Sequence, residues 1–255
     1  MAVIPDLVSE LNVIALTGMI VLVLVGGIVS GATAMGGAQF IAAGLAFIVD
    51  PRSAVILLAV LNLPMAALQV VHQRRRASEL GALRWLFIPA VIGVPCGLLA
   101  LSVVSARGIS IVLGLLMLAF VAVQLTRFRP AIPARHQGWL SPVVGGLAGV
   151  ATGMVGVAGP VLATYLIMLR LPPVTFASTI SRVYLALSVV RFAGLVVLNE
   201  LTASALVLAG ALLVPAFVGQ RIGFALQGRA SPRAFQLAVL ALLAAAGVSL
   251  LAFRG

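Results

Sequence analysis

Long apolar stretches separated by short polar gaps set the pattern of this chain. Residues 11–49 carry no charged side chain, close to twice the ~20 apolar residues that one membrane-spanning helix needs. Gly31, Gly36 and Gly37 interrupt that run midway, so it reads as two helical pieces, about 12–30 and 33–49, folded back at the glycines. Further apolar runs cover about 53–73, 85–104 and 108–126. The polar gap from Arg127 to Gly138 is a linker in scale. Beyond it, a run from about 140 to 169 is broken by Gly153, Gly156, Gly159 and Pro160. Its halves are too short for full crossings and predict a hairpin that enters the membrane and returns. Runs of about 174–198, 202–226 and 232–253 complete the chain.

Composition turns this pattern into a class. Of 255 residues, 63% are hydrophobic and 8% charged, with a mean hydropathy of +1.26; soluble domains carry about 25% charged residues. Too few charges remain to cover a water-facing surface, so the chain is expected to be an all-α polytopic integral membrane protein. The net charge of +11 comes from arginine, with no lysine, and most arginines sit between apolar runs. That is positive-inside patterning rather than a nucleic-acid surface. The lone Cys96 excludes a disulfide framework, and His72 and His136 lack metal-ligand spacing. Met1 to Glu10 holds no basic residue, unlike a signal peptide.

The second half echoes the first. At an offset of 122, Gly27, Gly31, Gly37 and Pro51 match Gly149, Gly153, Gly159 and Pro173. At an offset of 126, Pro89, Gly93 and Gly97 match Pro215, Gly219 and Gly223, and Ser105 and Arg107 match Ser231 and Arg233. Small residues at every fourth position let helix backbones approach closely in lipid, which is also the plain packing use of these ladders. Two repeats are expected, 1–130 and 131–255, each a broken-helix hairpin plus three transmembrane helices.

Charge orients them. With an odd number of crossings per half, one side receives Arg74, Arg75, Arg76, Arg84, Arg127, Arg129, Arg135, Arg170, Arg229 and Arg233. The other side receives Arg52, Arg107 and Arg254 with Asp50, Glu200 and the acidic N-terminal segment. This lopsided distribution is the one the positive-inside rule favours. The repeats are therefore expected to be inverted, with both termini outside and a bacterial inner membrane as the location. Inverted repeats with broken helices are a recurrent plan of secondary transporters, with substrate bound where the repeats meet.

Ionisable groups inside apolar spans are functional candidates, and here they are Arg182, Arg191 and Arg221. A buried guanidinium keeps its proton, so it needs an anion, carbonyl oxygens or water. Arg221 lies near the span end and can snorkel. Tyr184, Ser188 and Arg191 share one helical face, whereas Arg182 lies about 180° from Arg191. One straight helix therefore does not aim both arginines at one ligand; either contacts substrate or bonds buried carbonyls. At the 122 offset Asn62 pairs with Tyr184 and Gln69 with Arg191. These either face the site or bind helices together. The hairpin breaks supply Thr33, Gly36, Gly37 and Gln39 in the first half and Thr152, Gly156 and Gly159 in the second. Backbone N–H groups at a helix start bind anions.

The stretch Gly31-Ala-Thr-Ala-Met-Gly36-Gly37 followed by Pro51 resembles the TauE/SafE family of membrane permeases. So does its counterpart Gly153-Met-Val-Gly-Val-Ala-Gly159-Pro160 with Pro172-Pro173, and the resemblance covers essentially the whole chain. It implies transport, mostly export, of small sulfur-containing anions or organosulfonates such as sulfite, thiosulfate or sulfoacetate. The first motif reads Ala-Met-Gly-Gly-Ala and the second ends Ala-Gly-Pro.

The leading expectation is a secondary transporter of a small anion, with no cofactor and no nucleotide-binding loop. Its partners would be the anion, membrane lipid and a proton or sodium ion for coupling, without nucleic acid; a homodimer is left open. The alternative is a passive anion channel or a permease for small carboxylates. An intramembrane enzyme lacks a nucleophile–base or metal constellation.

Overall fold

The structure of the chain, a computed structural model, describes residues 13–34, 37–74, 83–125, 132–227 and 232–252. Ten helices follow in order among them: α1 (Val13–Thr33), α2 (Gly37–Ile48), α3 (Pro51–His72), α4 (Arg84–Val103), α5 (Ala106–Leu125), α6 (Ala134–Val155), α7 (Gly159–Met168), α8 (Pro173–Val197), α9 (Ala203–Leu226) and α10 (Pro232–Ala252). No strand occurs among the described residues. Seven of these helices (α1, α3, α4, α5, α6, α8 and α9) are long and apolar enough to cross a membrane. Large apolar side chains such as Val13, Ile92, Val103, Val207 and Val214 point outward, which lipid accepts and water does not. This is a multi-pass membrane protein.

Local chemistry sets the helix ends. Asp50 accepts from the Ser53 N–H at 3.0 Å to cap α3, and Pro51 opens the helix where its missing N–H costs nothing. Thr202 caps α9 through the Ala205 N–H at 3.2 Å. The two breaks share one backbone device. Ala34 after α1 has φ 59°, and Gly156 after α6 has φ 78°. These residues stand 122 apart, and a left-handed residue ends a helix by turning the chain out of it.

The second hairpin differs from the two short halves expected of it. α6 starts at Ala134 and holds 22 residues, and α1 holds 21, each about 32 Å and enough to cross. α2 and α7 hold 12 and 10 residues, about 18 and 15 Å, and do not. Each hairpin is thus a full-length arm and a half-length arm. Arg135, His136 and Gln137, polar enough to read as linker, form the first turn of α6.

The glycine ladders seat α1 on α9 and α6 on α4, the most extensive interfaces in the fold. A Cβ on Gly31 would lie 3.0 Å from the Gly223 Cα, and one on Gly153 would lie 2.9 Å from the Gly97 Cα. The same correspondence holds one turn earlier. Gly27 abuts the Ala216 carbonyl and Gly149 abuts that of Ala90. Along both interfaces the residue numbers rise together, so α1 runs parallel to α9 and α6 parallel to α4. α5 and α10 are antiparallel: Gly114 meets Gly247 and Leu251, while Gly247 meets Leu118.

Contacts between distant segments join stretches that the charge pattern assigns to one side. Arg52 pairs with Glu200 at 2.5 Å. His72 stacks on Phe224 at 3.9 Å, and the Ile132 N–H donates to the Met168 carbonyl. Trp85 and Trp139, both exposed, lie near the starts of α4 and α6, stretches that the charge pattern assigns to the arginine-rich side, and interfacial tryptophans are common at span ends.

Candidate functional site

A cavity lies where the two hairpin breaks face α3 and α8. Its space, open exterior included, amounts to about 660 Å³. Its walls come in related pairs at the 122 offset: Ser30 with Thr152, Ala34 with Gly156, Gly37 with Gly159, Asn62 with Tyr184, and Ala66 with Ser188. Gln39, Met65, Gln69 and Ser181 break this correspondence. Every lining side chain is uncharged, and most of the polar ones are hydroxyls or carboxamides.

Of the residues expected to form a site, Gly37, Gln39, Asn62, Gln69, Thr152, Gly156, Gly159 and Tyr184 line this one cavity. Asn62 reaches across the halves, its Nδ2 donating to the Gly156 carbonyl at 3.4 Å. Gln69 accepts from Gln220. The Thr152 hydroxyl donates back to Ala148 at 2.7 Å, so toward the cavity it offers an acceptor. Gly36 lies outside the described residues. Thr33, next to the lining residue Ala34, does not itself line the cavity, and its hydroxyl donates to the Val29 carbonyl.

The arginines separate. Arg182 is half-buried and turns back along α8, where it bonds the Ser178 carbonyl and hydroxyl away from the cavity. Arg221 is exposed near the end of α9, as a snorkelling residue should be. Arg191 is 2% exposed. Its Nε donates to the Gly153 carbonyl at 3.3 Å and its Nη2 to the Val55 carbonyl at 3.0 Å. The Gly153 carbonyl belongs to the last turn of α6, the negative end of the helix dipole, so it suits a cation. Nη1 has no hydrogen-bond partner and lies directly against Gly156, where a Cβ would collide with it. The guanidinium therefore stands one glycine behind the cavity wall. Its position is decided by the left-handed turn at Gly156, which a side chain would both strain and fill.

Gln220, which sequence reasoning did not single out, links the halves near the other break. It is fully buried, and its Nε2 donates to the Met65 carbonyl at 2.9 Å and to Gln69 Oε1 at 3.0 Å. An amide inside the apolar run of α9, one residue from Arg221, was the available signal. Ser30 and Ser181 also line the cavity, but one hydroxyl in an apolar helix is common and indistinct. Among the described residues no group of three or more His, Cys, Asp or Glu side chains is placed to hold a metal.

The family model described as "Sulfite exporter TauE/SafE" matches residues 19–250. The match spans both breaks, all four glycine ladders and every residue that lines the cavity. No curated protein and no solved structure matches the chain.

Proposed function

The chain belongs to the TauE/SafE sulfite exporter family, and from that premise we propose that it is a secondary transporter, working in export, of one small sulfur-containing anion or organosulfonate. Sulfite, thiosulfate and sulfoacetate are its candidates. The anion sits in the cavity between the two breaks, near mid-membrane, held by two inverted repeats, 1–130 and 131–255, in the bacterial inner membrane. The chain performs transport and no covalent chemistry.

The observation that carries this reading is Arg191. A buried full charge with no carboxylate bonded to it, and with one free N–H pair behind a glycine, biases the adjacent space toward anions. The α7 N-terminus strengthens that bias. It opens on the cavity at Val157, Ala158 and Gly159 without a side-chain cap, and N–H groups at a helix start favour negative charge. Hydroxyls and amides around the wall supply hydrogen bonds in place of the lost hydration shell. The paired geometry suits alternating access: each half brings a long arm, a half-length arm and a left-handed turn to the same cavity. Rocking one half against the other would expose it to either side.

Counterflow of labelled sulfite in proteoliposomes tests the reading. Saturable exchange, competed by sulfonates and lost when Gly156 is replaced by Val, supports a carrier. Flux that never saturates would replace it with the channel reading, and stabilisation by cations alone would overturn the anion site.

A further inference from the structure

Gln39 carries a carboxamide that the fold leaves without partners. It is the third residue of α2, lines the cavity and is 2% exposed. Neither its Nε2 nor its Oε1 has a hydrogen bond. The side chain crosses from the first half to the second. Its Nε2 occupies the space that a Cβ on Gly159 would need, at the uncapped start of α7, and the Tyr184 hydroxyl lies 3.2 Å from that same point. A buried amide with both atoms unmatched is costly, so its retention at the meeting point of the halves calls for a ligand that satisfies it. The equivalent position in the second half is Val161, so this feature is one-sided.

We infer that Gln39 is a specificity-determining residue, and that the preferred substrate is a compact monoanion bearing a donor hydrogen as well as acceptor oxygens. The inference rests on the anion-carrier reading above. An oxyanion with acceptors only pairs with Nε2 and with the α7 N–H groups, but it sets an oxygen against Oε1. Rotating the amide does not help, because one end always accepts and the other donates. An anion that carries an O–H, such as hydrogensulfite or a hydroxyalkanesulfonate, gives to Oε1 and accepts from Nε2 and the helix end at once. Sites built to bond a hydroxyl reject the analogue that lacks it by large factors.

Two probes of equal charge isolate this. 2-Hydroxyethanesulfonate and ethanesulfonate differ by one hydroxyl, and neither sulfonate titrates near neutral pH. Each is tested for binding to the full-length protein in detergent, and as a competitor of sulfite counterflow. The native protein should prefer the hydroxylated anion at least tenfold. In Gln39→Met, which keeps the volume and removes both polar atoms, the preference should fall within twofold while the unliganded protein melts no lower. Sulfite counterflow at fixed total concentration should also decline as pH rises and the monoprotonated form is lost, while direct binding of the two sulfonates stays level. Equal affinity for the two sulfonates in the native protein, or an unchanged preference in Gln39→Met, overturns the inference and leaves the carrier reading standing. A preference that persists in Gln39→Met but vanishes in Tyr184→Phe overturns it in favour of the tyrosine as the reader. Failure of every anion to bind or exchange would instead sink the carrier reading itself.

Discussion

Arg191 Nη2 donates to the carbonyl of Val55 at 3.0 Å, so a charge carried by α8 is held on the backbone of α3. The same guanidinium bonds Gly153 at the end of α6, and three helices meet on one side chain. Lysine offers a compact point charge and cannot span both carbonyls. In Arg191→Lys we expect at least one charge-assisted hydrogen bond to be lost, about 1.5–3 kcal/mol. Thermal unfolding in detergent should read this as a lower midpoint. Sulfite counterflow should fall at least tenfold, because the free N–H pair behind Gly156 goes with the fork.

The left-handed turns give opposite outcomes at equivalent positions. Ala34 pays for φ 59° with a Cβ, a conformation that costs L-residues about 1–2 kcal/mol. Ala34→Gly should recover about 1 kcal/mol of stability. Gly156→Ala should be destabilising, since its φ is 78° and its new Cβ would meet Arg191. Differential scanning fluorimetry on the two variants checks both signs.

The ladder glycines separate from those in open space. Gly153→Ala sets a Cβ 2.9 Å from the Gly97 Cα and against the Val94 carbonyl, backbone that cannot step aside. Overpacking of this kind costs about 1–3 kcal/mol, and Gly31→Ala should match it through Gly223. Nothing lies within 4 Å of a Cβ on Gly210, so Gly210→Ala should be neutral or gain up to about 1 kcal/mol. Unfolding midpoints of the three variants give the comparison.

The Arg52–Glu200 pair and the His72–Phe224 stack should lie on opposite sides of the membrane. In a Cys96→Ala background, an impermeant thiol reagent applied to intact cells should label Thr202→Cys and leave Gln227→Cys unlabelled. Inverted vesicles should reverse the result. Arg52→Ala should cost no more than about 1 kcal/mol, since a pair this exposed is weak. Labelling of both sites from one side would refute the assigned orientation.

The helices themselves were legible in the linear pattern because each apolar run is long and each gap is polar or holds glycine and proline. α3, α8 and α9 fall within a few residues of their expected ranges for that reason. The start of α6 was not legible, since Arg135 and Gln137 are polar whether they sit in a linker or in a first helical turn. The breaks were legible only as regions. Glycine spacing pointed to Gly36 and Gly37, whereas among the described residues of the first break Ala34 is left-handed, a conformation that its own side chain disfavours.

The cavity shows the same division. Asn62, Gln69 and Tyr184 could be grouped because helical periodicity and the 122 offset place them on related faces, and they line one space. Arg182 and Arg191 looked alike in sequence, each a cation within an apolar span. One curls back onto Ser178 and the other reaches Gly153 and Val55, a difference made by neighbours far along the chain. The unmatched amide of Gln39 was likewise beyond sequence, because what it lacks is a partner, and partners are contributed by other helices.

By itself, the sequence determined that this is a helical membrane protein with two glycine-marked halves, because hydrophobic run length and small-residue spacing are properties of neighbouring positions. Tertiary structure decided which cation stands behind the cavity, that Ala34 and Gly156 turn left-handed at the breaks, and which polar atoms are left to meet a ligand. Those outcomes depend on backbone carbonyls and helix ends brought together across more than a hundred residues, and no local pattern encodes them.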